Sequence, residues 1–327
     1  MLGALARFGL LRPGETPRFT ALTGGVSSDI WRVDLESGPV CIKRALPKLK
    51  VAADWEAPVE RNAYEVAWYQ TAGAIVPEAA PRVLGHDPEA GLFVMEFLDP
   101  TAHRLWKEEL RAGRVERSVA RAVGERIGRI HAGTAGIPSV ATRFNSDAIF
   151  HPIRLEPYLL ATAKVHPDRA DVLEALVQEI LSTKRALVHG DVSPKNVLIG
   201  PSGPVLLDAE CAWYGDPAFD LAFCLNHLLL KCLWTPASAN ALLDAFGVLA
   251  DSYLNQVSWE AAMTLEKRAA HLLPGLFLAR VDGKSPVEYL TDENDKERVR
   301  RVARALLADP VDTLAGVRAA WAEELGR

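Results

Sequence analysis

The chain has 327 residues, 49% apolar and 24% charged, which is enough apolar material to offset chain entropy and too much chain for one small core, so two packed units are expected and disorder is not. The formal net charge of -5 leaves no broad basic field and argues against a protein that holds nucleic acid by neutralising phosphates. Cys41, Cys211, Cys224 and Cys232 form no Cys-x-x-Cys pair and lie among apolar residues, so they read as buried free thiols in a reducing, cytoplasmic setting rather than as disulfides or zinc ligands.

In chain order, the opening stretch MLGALARFGLLRPGE is broken by Arg7 and closed by Pro13, with no small-residue cleavage pattern, and does not read as an export signal. IWRVDL, the turn Glu36-Ser37-Gly38 and PVCIKRA predict a β-hairpin. Residues 57–71 turn helical, with Pro58 in the first turn, Val59, Ala63 and Val66 on one face, and Gly73 expected just past the end. PRVLGHD and GLFVMEFL predict a second strand pair, and Asp99-Pro100 marks the boundary between a first unit, 1–98, and a second, 99–327. Beyond it the 3.6-residue period dominates, predicting helices at 115–131, 170–182, 216–233, 238–253, 259–271 and 293–307. Val197-Leu198-Ile199 and Val205-Leu206-Leu207, joined by a Gly/Pro/Ser turn, predict a short hairpin among them. The most apolar run, 221–230, is interrupted by Asn226 and His227 and falls short of the roughly 20 residues that span a bilayer, so a core helix and no membrane partner are expected. The fold class is α+β, with a cleft between a sheet lobe and a helical lobe, where small-molecule sites commonly form.

The chemistry concentrates in His189-Gly190-Asp191-Val192-Ser193-Pro194-Lys195-Asn196. Asp191 and Asn196, five apart on an irregular loop, suit orientation of a substrate hydroxyl by the first and a turn toward a metal by the second. The hairpin returns the chain to Asp208, a second hard oxygen ligand, and Glu210, which projects from the same side if the strand continues, is a further candidate to assist the metal or contact substrate. Magnesium suits such oxygen ligands and bridges nucleotide phosphates. In the first unit Lys43 shares a strand face with Cys41 while Ile42 packs inward, which suits a lysine for phosphate. Glu65 on the following helix is its natural partner, with Glu60 as competitor. Gly24, Gly25 and Ser27, in Thr23-Gly24-Gly25-Val26-Ser27-Ser28, allow backbone amides to approach phosphate oxygens.

These residues resemble the aminoglycoside phosphotransferase and choline kinase superfamily, whose fold is protein-kinase-like, and the resemblance covers most of the chain. HGDVSPKN is similar to that family's H-G-D-x-x-x-x-N loop, LLDAE to its metal-binding strand end and GDPAFDLA to the helix-opening segment that follows. The resemblance implies a β-rich nucleotide-binding lobe at 1–98 and a helical catalytic and substrate lobe at 99–327. It implies ATP and Mg2+ as cofactors, Asp191 as the catalytic aspartate, Asn196 and Asp208 as magnesium ligands and Lys43 as the partner of nucleotide phosphates and of Glu65. It further implies an adenine-binding hinge at Met95, Glu96, Phe97 and Leu98, and Asp220 as a brace for the loop. Gly190 replaces the arginine of protein kinases, Ala209-Glu210 follows Asp208 in place of Phe-Gly, and no A-P-E segment follows, so a small hydroxyl compound is expected as acceptor.

His189 reads as structural, Asp216 as a cap for the next helix, and His227 and His271 as satisfied helix residues. Gly283-Lys284-Ser285 mimics the end of a P-loop, but Leu278 stands where the earlier glycine is required. A helix start is expected instead, with Ser285 as N-cap, Pro286 first and Glu288 closing a capping box. Arg280 and Asp282 are candidates for the substrate pocket. Glu210, Asp216, Trp213, Tyr214 and Trp234 suit an amino sugar, a sugar or an amino alcohol, and a sugar-like hydroxyl is preferred. The alternatives are an aminoglycoside phosphotransferase and a catalytically silent nucleotide-binding scaffold; no oligomeric state can be read.

Overall fold

The computed structural model describes residues 1–22, 28–46 and 58–327; the expected phosphate loop with Gly24, Gly25 and Ser27 lies outside the described residues. A short helix, α1 (Leu2–Arg7), precedes an antiparallel sheet made of β1 (Arg18–Leu22), β2 (Ser28–Leu35), β3 (Gly38–Ala45), β4 (Val83–Asp87) and β5 (Leu92–Glu96), in the order β1-β2-β3-β5-β4. Strand alternation sorts β3 between two cores. Val40 and Ile42 join Val33, Leu35 and Val94 beneath Leu5 of α1, while Cys41 turns the other way, toward Val66 of α2 (Arg61–Ile75). Helix α2 continues through Gly73, which had been expected beyond its end, because Ala72 and the C-cap Val76 are still buried in the main core.

The remaining chain is mainly helical. It runs through β6 (Arg104–Leu105), α3 (Trp106–Arg111), α4 (Arg117–Thr134), α5 (Pro138–Arg143), α6 (Asp147–Phe150), a wide π-helical stretch at His151–Leu160, α7 (Ala161–Val165) and α8 (Ala170–Ser182). Then come β7 (Ala186–Val188), the hairpin β8 (Val197–Gly200) and β9 (Gly203–Leu206), and β10 (Trp213–Gly215). Five helices close the chain: α9 (Ala218–Trp234), α10 (Ala239–Leu254), α11 (Ala262–Asp282), α12 (Glu293–Ala308) and α13 (Leu314–Leu325). Strand β6 extends the hairpin to three strands, and β10 pairs antiparallel with β7, so two small ribbons hold the ends of loop 189–196.

Helix α9 is buried from Ala218 to Leu233, which explains why its sequence is apolar all round. Its neighbour α10 packs on α4 so closely that a Cβ at Gly124 would lie 2.4 Å from the Leu249 carbonyl oxygen, a distance that only glycine permits. The main core is continuous from Cys41, Val66 and Phe93 of the sheet lobe to Trp321 of α13. No helix among the described residues is long and apolar enough to cross a membrane. All four cysteines are buried and unpaired.

Two expectations are corrected in the last third. The helix expected to stop at His271 runs to Asp282, because Leu272 to Arg280 are all buried and Pro274 is accommodated within it. The segment after it forms no helix at Ser285–Leu290. Local capping chemistry loses there to tertiary bonds: Arg280 binds the Ser285 carbonyl and hydroxyl, Val287 N–H donates to the Arg280 carbonyl, and Glu288 pairs with Lys107 of α3.

Candidate active site

Loop 189–196 is shaped by its first residues. Gly190 has φ +80°, and a Cβ there would meet the Cys211 carbonyl oxygen at 2.7 Å, so a glycine follows His189 for both conformational and steric reasons. Asp220, in the first turn of α9, accepts from the His189 N–H at 2.7 Å and the Gly190 N–H at 2.8 Å. That carboxylate also faces His131 of α4, whose other ring nitrogen lies 2.8 Å from the Tyr253 hydroxyl. His189 is buried against the edge of Trp68, and its Nδ1 accepts from the Asp191 N–H at 3.2 Å. Burial pushes its pKa down, so the ring is neutral and structural.

Asp191 is buried with two cations on its carboxylate: Arg154 of the π-helical stretch at 2.9 Å and Lys195 of its own loop at 3.0 Å. Burial pushes its pKa up, but Arg154 and Lys195 outweigh burial and hold the carboxyl below its ordinary value. Arg154 also donates to the Gly190 carbonyl, so one guanidinium fixes both backbone and carboxylate. The Asn196 amide nitrogen donates to the Asp191 carbonyl at 3.0 Å, which leaves its oxygen as the outward atom.

Lys43 reaches this loop from the sheet. Its Nζ lies 2.8 Å from Glu65 of α2 and 2.5 Å from Asp208, a residue 165 positions away in sequence. Burial works against the Lys43 charge, but Asp208 and Glu65 outweigh it and raise its pKa well above the ordinary lysine range. Glu65 feels burial most and is pushed up to about 7 against the pull of Lys43. Tyr69, one turn on, donates to Glu65 at 2.7 Å and accepts from the Asp208 N–H at 2.9 Å, joining helix to strand end. Asp208 is the one non-glycine residue among those described with a positive φ, +66°. That left-handed turn costs on the order of 1–3 kcal/mol and aims its carboxylate at Lys43.

Five expected contributors are taken up by other partners. Glu210, expected beside Asp208 as a metal ligand, is 3.0 Å from the buried Arg61 of α2, whose charge demands a counter-ion. Asp216 contacts the Ala218 N–H as expected for a cap, but both its oxygens are also held by Arg268. Trp213 is buried in a stack on Phe150, and the Tyr214 hydroxyl is spent on the Arg185 carbonyl and the Gly136 N–H, so neither faces an acceptor. Asp282 pairs with His166 and Arg300, away from the loop.

At the sheet edge, Met95 pairs with Cys41 and Glu96 with Val40, and the Glu96 carboxylate accepts from the Arg82 N–H. Beyond β5 the chain leaves the ladder; the backbone groups of Phe97 and Leu98 make no hydrogen bond among the described residues, and Arg32 covers the Phe97 ring at 4.7 Å. Such free groups suit the edge of a nucleobase. Among the described residues no cluster of three or more His, Cys, Asp or Glu is placed to hold a metal unaided. Asn196 and Asp208 fit magnesium in the manner of nucleotide-dependent enzymes, where the protein gives one or two oxygens and phosphates and water complete the shell.

Arg154, Tyr69 and Lys195 were missed as site residues. Tyr69 follows Glu65 by one helical turn and Lys195 follows Asp191 by four, spacings that were legible. Arg154 sits between Ile153 and Leu155, with no spacing that points to Asp191.

Residues 18–254 match the phosphotransferase enzyme family (APH), and the chain belongs to that family. Among curated proteins it is similar to the methylthioribose kinase of Pectobacterium atrosepticum, 25% identical over 239 residues that cover 63% of this chain and 58% of that one. It is likewise similar to the methylthioribose kinase of Yersinia pseudotuberculosis, 26% identical over 226 residues covering 61% and 55%. The chain thus spans less than two thirds of the length of these relatives. Among solved structures it is similar to an amicoumacin kinase in complex with AMP-PNP and Ca2+ (TM-score 0.59, 14% identity, 96% and 95% covered). It is also similar to the choline kinase of Cryptosporidium parvum (TM-score 0.55, 13% identity, 93% and 92% covered). The fold is the protein-kinase-like α+β fold, a small antiparallel sheet lobe beside a larger helical one.

Proposed function

We propose that this chain is a small-molecule kinase that transfers the γ-phosphate of ATP to a hydroxyl of a sugar-like or amino-alcohol acceptor, in a magnesium-dependent reaction. The observation that carries this reading is the placement of Lys43 between Glu65 and Asp208, which brings a sheet lysine to the end of the hairpin that follows the Asp191 loop. In this reading 1–98 is the nucleotide lobe, 99–327 is the catalytic and substrate lobe, and the setting is cytoplasmic. Phe97 and Leu98, with Met95 and Glu96 behind them, take the base.

The roles follow from the charges. Lys43, kept cationic by its carboxylates, offsets phosphate charge, and Glu65 with Tyr69 keeps it extended. Asn196 and Asp208 would hold Mg2+, which when bound neutralises phosphate oxygens. Asp191, kept ionised by Arg154 and Lys195, is a weak base, and a loose transition state needs little early proton removal. Its work is to accept a hydrogen bond from the acceptor hydroxyl and hold it in line. Glu210 acts as the counter-ion of Arg61, and an aminoglycoside acceptor finds few free carboxylates, since Glu210 and Asp216 are both engaged by arginines.

Asp191→Asn keeps the shape of the side chain and removes its charge. Its kcat should fall about a hundredfold or more, while ATP affinity, followed by nucleotide fluorescence, stays within about twofold. Turnover equal to the parent sinks the assignment. ATP binding with no acceptor-stimulated ADP release across sugars, amino sugars, amino alcohols and hydroxy acids favours a silent scaffold.

A further inference from the structure

Beside loop 189–196 lies a small pocket, with a cavity volume of about 30 Å3, formed by residues from α3, the loop, α9, α11 and the segment at 287–289. Its lining carries four cations, Lys107, Lys195, Lys231 and Arg280, and one carboxylate, Glu288, which is already paired with Lys107. Lys195 links it to the catalytic loop, since its ammonium lies 3.0 Å from Asp191.

Two features separate this pocket from an ordinary solvated basic patch. Lys231 is only 2% exposed, and among the described residues its ammonium makes no hydrogen bond or ion pair; its contacts are the faces of Trp234 and Tyr289, each with its ring centre 4.6 Å away. Four other lining residues each carry a buried polar atom with no protein partner: Ser193 Oγ, His227 Nε2, Arg280 Nε and the Tyr289 hydroxyl. Buried groups of this kind are rare and costly, and so many lining one pocket point to a partner that is not protein. Burial and the flanking Lys107 push Lys231 down to about 7, the cost of an ammonium without a counter-ion.

We propose that this pocket receives an anionic group of the acceptor, a carboxylate or a phosphate, and thereby presents the acceptor hydroxyl to Asp191. The substrate class is a small hydroxylated acid or phosphate ester; this rests on the kinase reading above and narrows it. Lys231 and Arg280 bind the anionic oxygens, and Ser193 and Tyr289 supply neutral donors. Amino-alcohol and polycationic acceptors are disfavoured by the same charges.

The test is calorimetric titration of the whole chain, without nucleotide, with two matched series. The first is glycerate, glycerol 3-phosphate, glycerol and 3-aminopropane-1,2-diol; the second is glucuronate, glucose 6-phosphate, glucose and glucosamine. Within a skeleton the anionic members should bind at least about tenfold more tightly than the neutral or cationic ones, and the stronger of carboxylate and phosphate identifies the group. Lys231→Met and Arg280→Gln should each erase that preference, and Lys231→Arg should retain part of it, with thermal unfolding confirming that each variant is folded. Equal binding across a series, tighter binding of the neutral or cationic member, binding by none, or an unchanged preference in both folded neutral variants overturns the proposal. Because this readout needs no ATP, it fails separately from the kinase reading, which fails if MgATP does not bind.

Discussion

Lys43 and Lys231 are both buried, and their surroundings treat them in opposite ways. Lys43 lies against two carboxylates that hold its charge, whereas Lys231 rests on two aromatic faces with Lys107 and Arg280 nearby. The groups facing Lys231 are Lys107, Lys195, His227 and Arg280 on the cationic or neutral side, and Glu108 and Glu288 on the anionic side. With its pKa lowered from 10.5 to about 7, the unfolded chain holds the Lys231 proton more tightly between those values. The site's contribution to stability therefore rises with pH across that window and is least below 7. Ligand binding has the opposite sign. An anion needs the ammonium protonated, so the KM of an anionic acceptor should rise as pH climbs above 7, and steady-state kinetics from pH 6 to 9 should show that rise flattened in Lys231→Met. At this scale the sequence was informative where two residues share a short segment. Asp191 and Asn196 could be paired by counting, and Lys43 could be placed by strand alternation. It was silent on Arg154 and Lys231, and on Arg61 as the partner of Glu210, because only the fold brings these groups together.

Among the elements, α8 falls at 170–182 as its periodicity predicts, because Leu173, Leu176, Val177 and Ile180 make one buried stripe against a polar face. The π-helical stretch at 151–160 was not legible: it contains Pro152 and Pro157, which disfavour a helix interior, yet neighbouring helices keep the chain helical, and Arg154 reaches Asp191 from it. The segment 285–288 misled in the other direction, since its capping pattern is sound locally and is overruled by Arg280 and Lys107. The contact between α4 and α10 depends on a missing side chain. Gly124→Val would drive two branches into the Leu249 carbonyl and the Tyr253 amide, so it should cost about 1–3 kcal/mol or more, read as a lower denaturation midpoint. The shift should accompany a loosened loop 189–196, because Tyr253 and His131 on these same helices stand behind Asp220.

For the whole molecule, the order of motifs was enough to place a sheet lobe before a helical lobe and the loop between two ribbons, because each motif carries its own local geometry. The acceptor pocket was not readable that way. Its walls come from segments near 107, 193, 231, 280 and 289, and only packing makes them neighbours, although a lone lysine at the end of the most apolar helix was a visible sign. The buried cysteines carry one more consequence. Burial raises every thiol, Cys41 and Cys232 to about 12 and the others further, so in the native state there is neither access nor thiolate for a disulfide reagent. Mixed with an excess of Ellman's reagent, the folded chain should release chromophore only as fast as it opens, and all four equivalents should appear at once in strong guanidinium. Cys41 lies in the sheet lobe, Cys211 beside Gly190 of loop 189–196, and Cys224 and Cys232 along α9. Mapping modified peptides over time therefore gives a natural clock for which part of the molecule lets go first, without adding a single label.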